Sequence, residues 1–374
     1  MVLIRRYALI LLGSCFAVAA SSARLAAEGL NPSAVPTACA SVLASAVCPE
    51  SADLWTRLRG NFRLDRHENP AIEAEIARLA RSPRALVARV EAAEPFLRYV
   101  ADRVAALDLP SEIALLPFIE SGYQAVAVSE KSAKGLWQLM PVTARRFGLE
   151  ESWWFDPRLD LEASTRAALD YLTFLESRFE GDWLLALAAY NAGEGRVSRS
   201  MAKNRERGLP TDFWSLDLPA ETRTYVPRLL ALVRVVNRPS AFGLELPVIP
   251  DVPYLEKVSL AGALDLKIAA QLARMEVTAL QALNPGLKRS MTSPVGEDHL
   301  FLPADKSRYL RVALYRISKD RDPRYRRVVY TVRSGDSLWA IAKHFGVPVR
   351  SLAGWNDLVP DGIIRPGREL DIWT

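Results

Sequence analysis

The chain has 374 residues, of which 50% are hydrophobic and 24% are charged, and its formal net charge is +5. This is an ordinary globular composition, and the length predicts two or three domains rather than one. The positive charge is modest, and no basic run is interleaved with aromatic residues. The sequence therefore lacks the pattern that is typical of nucleic-acid-binding proteins.

The N-terminus predicts an export signal over residues 1–23. Arg5 and Arg6 precede an apolar run that is too short to span a bilayer comfortably, and small residues follow up to Ala23. Two modes of processing stay open, because the residues that end in Cys15 resemble a lipobox. Cleavage near Ala23 would release the protein, whereas lipidation of Cys15 would attach it to a membrane.

The cysteines and histidines bear on redox state and on metals. Cys39 and Cys48 are an even pair in an exported chain, which favours a disulfide, with two free buried thiols as the alternative. His67, His299 and His344 are scattered, and no metal-binding spacing of His, Glu or Cys is present. We therefore predict no metal site and no cofactor.

Helical patterns dominate the first two thirds of the chain. Residues 24–90 form a predicted N-terminal helical region, in which Ile72 and Ile76 have helical spacing. Short predicted helices, separated by Pro, Gly and capping residues, follow up to Asn237. The Pro-rich segment 238–256 is predicted to be a linker.

One of these short helices begins near Pro110. Ser111 is a suitable N-cap, and Glu112 in the first turn would complement the helix dipole. Gly122 is suited to end the helix. The spacing thus predicts a helix over about residues 111–121.

Glu120 lies on an apolar face of this predicted helix. Ile113, Leu116 and Glu120 fall at positions i, i+3 and i+7, which share one side of a helix. Partial desolvation there would raise the pKa of Glu120, as a general acid at neutral pH requires. The alternative is a surface glutamate in solvent or beside an arginine, and spacing alone favours that alternative.

The C-terminal part contains an internal repeat with a constant offset of 72 positions. The matched residues are Leu266 and Leu338, Ala270 and Ala342, Val277 and Val349, Leu280 and Leu352, and Asn284 and Asn356. Each copy has the predicted order strand, helix, helix, strand, over residues 257–303 and 328–373. The fold class predicted is mainly α, followed by small α+β (βααβ) modules.

The second copy, 328–373, carries further markers: Tyr330-Thr331-Val332, Gly335-Asp336-Ser337-Leu338 and Pro366-Gly367. These resemble the LysM module, a resemblance that implies binding of polymers that contain N-acetylglucosamine. The first copy, 257–303, lacks the Gly-Asp-Ser turn and is predicted to be a degenerate LysM-like module. Sugar binding and a purely structural role both stay open for it.

Several blocks of the helical part carry a second resemblance. They are Glu120-Ser121, Ser129, Gly135 to Pro141, Ala189 to Gly193 and Glu221 to Pro227. Together they resemble the catalytic domain of the lytic transglycosylases related to soluble lytic transglycosylase and goose-type lysozyme. The resemblance extends from about Glu91 to the end of the chain, and it implies a lysozyme-like helical catalytic domain over residues 91–237.

This resemblance implies an activity and a set of site residues. The expected substrate is the peptidoglycan glycan strand, cleaved between N-acetylmuramic acid and N-acetylglucosamine with formation of a 1,6-anhydro ring. Glu120 stands where the family has its essential carboxylate. The expected substrate-binding residues are Ser129, Gln138, Tyr190, Asn191 and Tyr225. From the residues alone, Gln138 as a helix cap and Tyr190 as a core residue are alternatives.

Two other functions stay open at this point. One is a lysozyme-type muramidase that adds water to the same bond. The other is a non-catalytic wall-binding protein in which the LysM modules bind and the helical domain is a scaffold. The expected location is the periplasm, in association with the cell envelope, with an outer-membrane anchor if Cys15 is lipidated.

Overall fold

The computed structural model describes residues 53–373, apart from 65, 261, 294–297, 321–326 and 357. The predicted signal segment with Cys15 lies outside the described residues, as do Cys39 and Cys48. Within the described part, no helix is both long and apolar enough to cross a bilayer. The architecture is mainly helical with two small sheets, so the predicted fold class is confirmed.

The first two thirds of the described chain are helical. The α-helices are α1 (Leu54–Arg59), α2 (Pro70–Ala80), α3 (Pro83–Ala106), α4 (Leu116–Glu120), α5 (Pro141–Arg146), α6 (Leu161–Arg178), α7 (Trp183–Ala192), α8 (Glu194–Glu206) and α9 (Ala220–Asn237). Short 3₁₀ helices cover Ser111–Leu115, Phe213–Ser215 and Pro239–Phe242. Since α3 runs through residues 90 and 91, the predicted N-terminal region and catalytic domain share one helix.

Helix α9 is central in this part of the fold. It packs against α2, α4 and α7, and it has buried residues on most of its sides. The neighbouring α7 is apolar on all sides, from Leu184 to Ala189, as expected for a helix inside the core. The caps are local: Asp160 accepts from Ala163 N at 2.7 Å, and Asp182 caps α7 in the same way.

The predicted start of the helix before Glu120 is wrong in detail. Ser111 does not act as an N-cap, because its Oγ donates to the carbonyl of Leu58 at 2.7 Å. Glu112 is fully buried and accepts the backbone N–H groups of Arg63 at 2.6 Å and Leu64 at 2.5 Å. Tertiary hydrogen bonds therefore replace the expected capping, and the segment is a 3₁₀ helix that leads into α4.

The C-terminal third contains the two predicted modules. The first has β1 (Leu255–Leu260), α10 (Leu266–Leu272), α11 (Val277–Leu283) and β2 (Asp298–Pro303). A helix that the sequence analysis did not predict, α12 (Ala304–Asp320), packs on β1 and β2. The second module has β3 (Arg327–Thr331), α13 (Leu338–His344), α14 (Val349–Trp355) and β4 (Glu369–Trp373), and the strands of each module pair antiparallel.

The asparagine that recurs with the offset of 72 positions has the same structural role in both modules. Asn284 donates its side-chain amide to the carbonyl of Phe301 at 2.8 Å and accepts the N–H of Phe301 at 2.7 Å. Asn356 makes the same pair of bonds with Asp371, at 2.8 Å and 2.7 Å. Each asparagine thus joins the end of the second helix to the closing strand, which fixes the module fold.

The first module is docked on the helical part. Phe301 of β2 is buried in the helical core, and its ring meets the ring of Tyr99 edge-on at 5.6 Å. His299 Nε2 lies 3.2 Å from Asp160 Oδ2 at the start of α6. The predicted linker 238–256 also packs on the helices, because Ile249 accepts the N–H of Leu54 at 2.9 Å.

We predict that Glu112→Ala lowers the free energy of unfolding by about 3 kcal/mol, because the buried N–H of Leu64 and the part-buried N–H of Arg63 lose a charged acceptor. Urea unfolding followed by circular dichroism measures the change. The matched control is Glu91→Ala on the exposed side of α3, which should change stability by less than about 0.5 kcal/mol. Equal effects of the two substitutions would contradict the role given to Glu112.

Candidate active site

Glu120 is the last residue of α4, and its side chain is half-buried. Tyr225 of α9 donates its phenolic hydrogen to Glu120 Oε1. Burial raises the pKa of Glu120 to about 7, the Tyr225 hydrogen bond opposes this rise, and the negative charge of Glu221 adds to it. A solvent-exposed glutamate paired with an arginine, the alternative favoured by spacing alone, does not describe this side chain.

Side-chain hydrogen bonds of Ser121 and Tyr123 hold the turn after Glu120. Ser121 Oγ donates to the carbonyl of Leu136 at 2.9 Å, which links the end of α4 to the loop 133–139. Tyr123 adopts a left-handed backbone conformation with φ of 61°, and its hydroxyl donates to Ala114 O at 2.8 Å. These contacts fix the backbone directly after Glu120 and so help to orient its side chain.

The loop 133–139 contains the predicted site residue Gln138. Gly135 is required there, because a Cβ at this position would lie 2.1 Å from the carbonyl oxygen of Arg158. Gln138 has a positive φ of 47°, and its Nε2 donates to the carbonyls of Gly135 at 2.9 Å and Ala127 at 3.3 Å. Gln138 therefore braces the loop and caps no helix.

Helix α7 ends with the next two predicted site residues. The Tyr190 hydroxyl donates to the carbonyl of Trp137 at 2.8 Å, and burial together with the nearby Glu120 raises the pKa of Tyr190. Asn191 Oδ1 accepts the hydroxyl of Thr222 at 2.7 Å. Thr222 lies three residues before Tyr225, so both face the same side of α9.

These contacts bring five of the six predicted residues into one region, namely Glu120, Gln138, Tyr190, Asn191 and Tyr225. Ser129 lies apart from that network: its Oγ accepts the N–H of Ala133 at 3.0 Å within its own turn. No described contact joins Ser129 to the Glu120 carboxyl group. The turn itself is continuous with the loop 133–139, since Val128 forms a bridge with Lys134.

Two supporting residues had no predicted role. Thr222 orients Asn191, and Ser121 anchors the turn after Glu120. Both belong to the sequence blocks that carry the family resemblance. The helical spacing of Thr222 and Tyr225 was a usable signal, whereas no sequence signal connects Ser121 to Leu136.

Two other carboxylates, Asp156 and Glu221, have surroundings that differ from those of Glu120. Burial alone would raise the pKa of Asp156, but hydrogen bonds from Arg158 and Lys134 hold it below its usual range. Lys134 Nζ lies 2.6 Å from Asp156 Oδ2. Glu221 is exposed on the first turn of α9. Glu120 thus differs from Asp156, because its pKa of about 7 lies where one group can give and take a proton near pH 7.

Comparisons with known proteins find similarity to lytic transglycosylases and LysM domains. Residues 105–211 match the model of the transglycosylase SLT domain, residues 330–373 that of the LysM domain, and residues 254–319 that of the LysM-like domain of lytic transglycosylase MltD. The chain is 35% identical over 337 residues to membrane-bound lytic murein transglycosylase D of Escherichia coli (strain K12), a match that covers 88% of this chain and 74% of the relative.

Shorter similarities extend to other enzymes. The soluble lytic murein transglycosylase of Salmonella typhimurium is 31% identical over 116 residues, which cover 30% of this chain and 18% of that relative. Among solved structures, an inactive mutant of the lytic transglycosylase Slt from Pseudomonas aeruginosa is 29% identical with a TM-score of 0.32, over 40% of this chain and 25% of that one. Because the similarity to the Escherichia coli enzyme spans most of both chains, this chain belongs to the lytic murein transglycosylases, in the family of membrane-bound lytic murein transglycosylase D.

Proposed function

We propose that this enzyme cleaves the β-1,4 bond between N-acetylmuramic acid and N-acetylglucosamine and leaves a 1,6-anhydro ring on the muramic acid, with Glu120 as the one acid and base. The observation that carries the proposal is the Glu120 carboxyl group, half-buried at the end of α4 with a pKa raised to about 7. Family membership excludes the non-catalytic wall-binding alternative.

In the first step, protonated Glu120 donates its proton to the oxygen that bridges the two sugars. The bond from this oxygen to C1 of the muramic acid breaks, and the N-acetylglucosamine leaves as an alcohol. The acetamido group of the muramic acid stabilises the positive charge that develops at C1. The Tyr225 hydroxyl then stabilises the carboxylate that this step creates at Glu120.

In the second step, the Glu120 carboxylate takes the proton of the C6 hydroxyl of the same muramic acid. The C6 oxygen attacks C1 and closes the 1,6-anhydro ring, and Glu120 is protonated again for the next cycle. No water is consumed, so no second carboxylate is needed to activate one. Most other glycosidases place two carboxylates across the scissile bond.

The surroundings of Glu120 support the one-carboxylate route. Asp156 is committed to Lys134 and Arg158, and Glu221 faces solvent. Because the C6 hydroxyl is part of the sugar that is attacked, binding one ring in the correct shape brings nucleophile and electrophile together.

The remaining predicted residues are proposed to hold the distorted sugar. Tyr190 and Asn191 sit at the end of α7, and Tyr225 faces them from α9. Gln138 belongs to the loop 133–139, and Ser129 belongs to the turn that comes directly before this loop. We also propose that the enzyme is exported and acts in the periplasm, and that its second LysM module binds N-acetylglucosamine units of the same polymer.

A lysozyme-type muramidase is the competing enzyme reaction. It would use the same acid but would add water at C1, so its products would be heavier than anhydro products by one water molecule. Mass spectrometry of the soluble products released from purified sacculi distinguishes the two reactions. Anhydro-muramic ends support the proposal, and reducing ends would overturn it.

Glu120→Gln should reduce the release of soluble muropeptides about a thousandfold, because the amide neither donates nor accepts the required proton. The rate of release from sacculi is the measurement. The matched control is Glu221→Gln, which removes a neighbouring exposed carboxylate and should retain most of the activity. A Glu120→Gln enzyme with nearly full activity would exclude the proposed acid.

The activity should fall as the pH rises through about 7. The protonated form of Glu120 starts the reaction, and it is lost above its pKa of about 7. The kcat/KM for sacculi or soluble strands should then decrease about tenfold for each further pH unit. A decrease centred near the ordinary value of 4.5 would show that burial does not set the titration.

Tyr225→Phe should move the midpoint of this pH profile upward. The lost hydroxyl stabilises the charged form of Glu120, so its removal favours the protonated form to a higher pH. Tyr190→Phe is the matched control, since that hydroxyl donates to the Trp137 carbonyl and its loss should move the midpoint less. Equal shifts in the two variants would contradict the specific Tyr225 bond.

A further inference from the structure

A cavity of about 370 Å³ lies where the helical part meets both C-terminal modules. The loop between α5 and α6, the loop between α11 and β2 of the first module, and helix α14 of the second module each contribute to its lining. The side chains that matter here are Trp153, Trp154, Arg289, Met291, Arg350 and Trp355. None of them belongs to the region around Glu120.

The walls of this cavity are held in place by close packing. Trp154 is buried in the apolar core of the second module, although it belongs to the helical part. A Cβ on Gly354 would lie 1.9 Å from Trp153 Nε1, so the indole rests where only a glycine leaves room. The N–H of Lys288 donates to the carbonyl of Trp154 at 2.8 Å and ties the first module to the same loop.

The charge of the cavity is positive. The guanidinium carbon of Arg289 lies 3.7 Å from the centroid of the Trp153 ring, and Arg350 is exposed at the cavity wall. In the part of the chain that the structure describes, neither arginine forms an ion pair. The nearby carboxylate of Glu151 is engaged by Arg158 and Lys288, at 3.0 Å and 2.9 Å.

Two buried donors in this lining lack acceptors. The indole Nε1 of Trp355 and the Nε of Arg289 are buried and have no hydrogen-bond partner among the described residues. The Trp355 side chain as a whole is only 7% exposed. Buried donors are paired in the great majority of cases, so a ligand or a water molecule that supplies an acceptor here would satisfy a donor that the described residues leave unpaired.

We propose that this cavity binds a carboxylate-bearing, N-acylated sugar unit of peptidoglycan. The part of the Trp153 side chain that stays exposed would pack against the apolar face of the pyranose ring, and the two guanidinium groups would bind the carboxylate. Trp355 Nε1 would donate to a hydroxyl or acetamido oxygen. The inference deepens the proposed function by adding a glycan site outside the Glu120 region. The carboxylate can come from the lactyl group of muramic acid or from its peptide stem.

Calorimetric titration of the full chain tests this site with three probes. They are the disaccharide N-acetylglucosaminyl-N-acetylmuramic acid, the same disaccharide with its peptide stem, and the neutral tetramer of N-acetylglucosamine. The variants are Arg350→Glu and Arg289→Glu, and the matched control is Arg316→Glu, another exposed arginine without an ion pair among the described residues. The disaccharides lack the bond that Glu120 is proposed to cleave, so a failure here is separate from a failure of the proposed reaction.

Each cavity variant should weaken binding of a carboxylate disaccharide about tenfold, the effect of losing one charge-assisted hydrogen bond. Binding of the neutral tetramer should be unchanged, and Arg316→Glu should change neither. The lactyl carboxylate is free only in the disaccharide without a stem, because the peptide is attached to it as an amide. A loss for the disaccharide without a stem alone therefore assigns the lactyl carboxylate, a loss for the peptide-bearing one alone assigns a carboxylate of the stem, and a loss for both shows that the site binds either carboxylate. The proposal is overturned if affinity does not change, if the neutral tetramer is affected equally, or if Arg316→Glu has the same effect. Since Arg350 is exposed, its substitution leaves the packing of the cavity intact even if Arg289→Glu disturbs Trp153.

Discussion

The contact between Glu120 and Tyr225 depends on packing between parts of the chain that are 105 residues apart. Burial of the Glu120 carboxyl group favours its neutral form, and the Tyr225 hydroxyl favours its charged form. The balance of these two effects holds the pKa near 7, where both forms are accessible. Any element that positions α9 against α4 therefore contributes to the chemistry.

Around this pair the backbone provides most of the support. Carbonyl groups of the loop 133–139 accept hydrogen bonds from Ser121 at the end of α4, from Tyr190 of α7 and from Gln138 of the loop itself. Because these side chains are bound to main chain, they are held in single orientations before any sugar arrives. Such preorganisation is what a site needs to distort one ring of a long and flexible polymer.

The C-terminal modules are docked on the helical part, so they can orient a bound polymer as well as concentrate it. A module on a flexible tether raises the local concentration of its polymer without fixing its direction. Here Phe301 joins the helical core and Trp154 joins the core of the second module. A glycan strand held by these modules would meet the Glu120 region in a defined orientation.

Local patterns in the sequence determined the class of the protein. The helical spacing of Ile113, Leu116 and Glu120, and the 72-residue repeat, predicted a helical domain and two βααβ modules, because periodicity and capping are properties of short segments. The motif blocks likewise pointed to Glu120 and to the residues proposed around it.

Only the tertiary structure decided the environment of these residues. Ser111 and Glu112 bind distant backbone instead of capping their own helix, since buried donors and acceptors from α1 and the segment after it reach them first. Spacing alone favoured a surface position for Glu120, and the approach of Tyr225 changed that assignment. The cavity between Trp153 and the arginines had no sequence signal at all, because its lining comes from three separate segments. Long-range packing determines such contacts, and no local pattern encodes them.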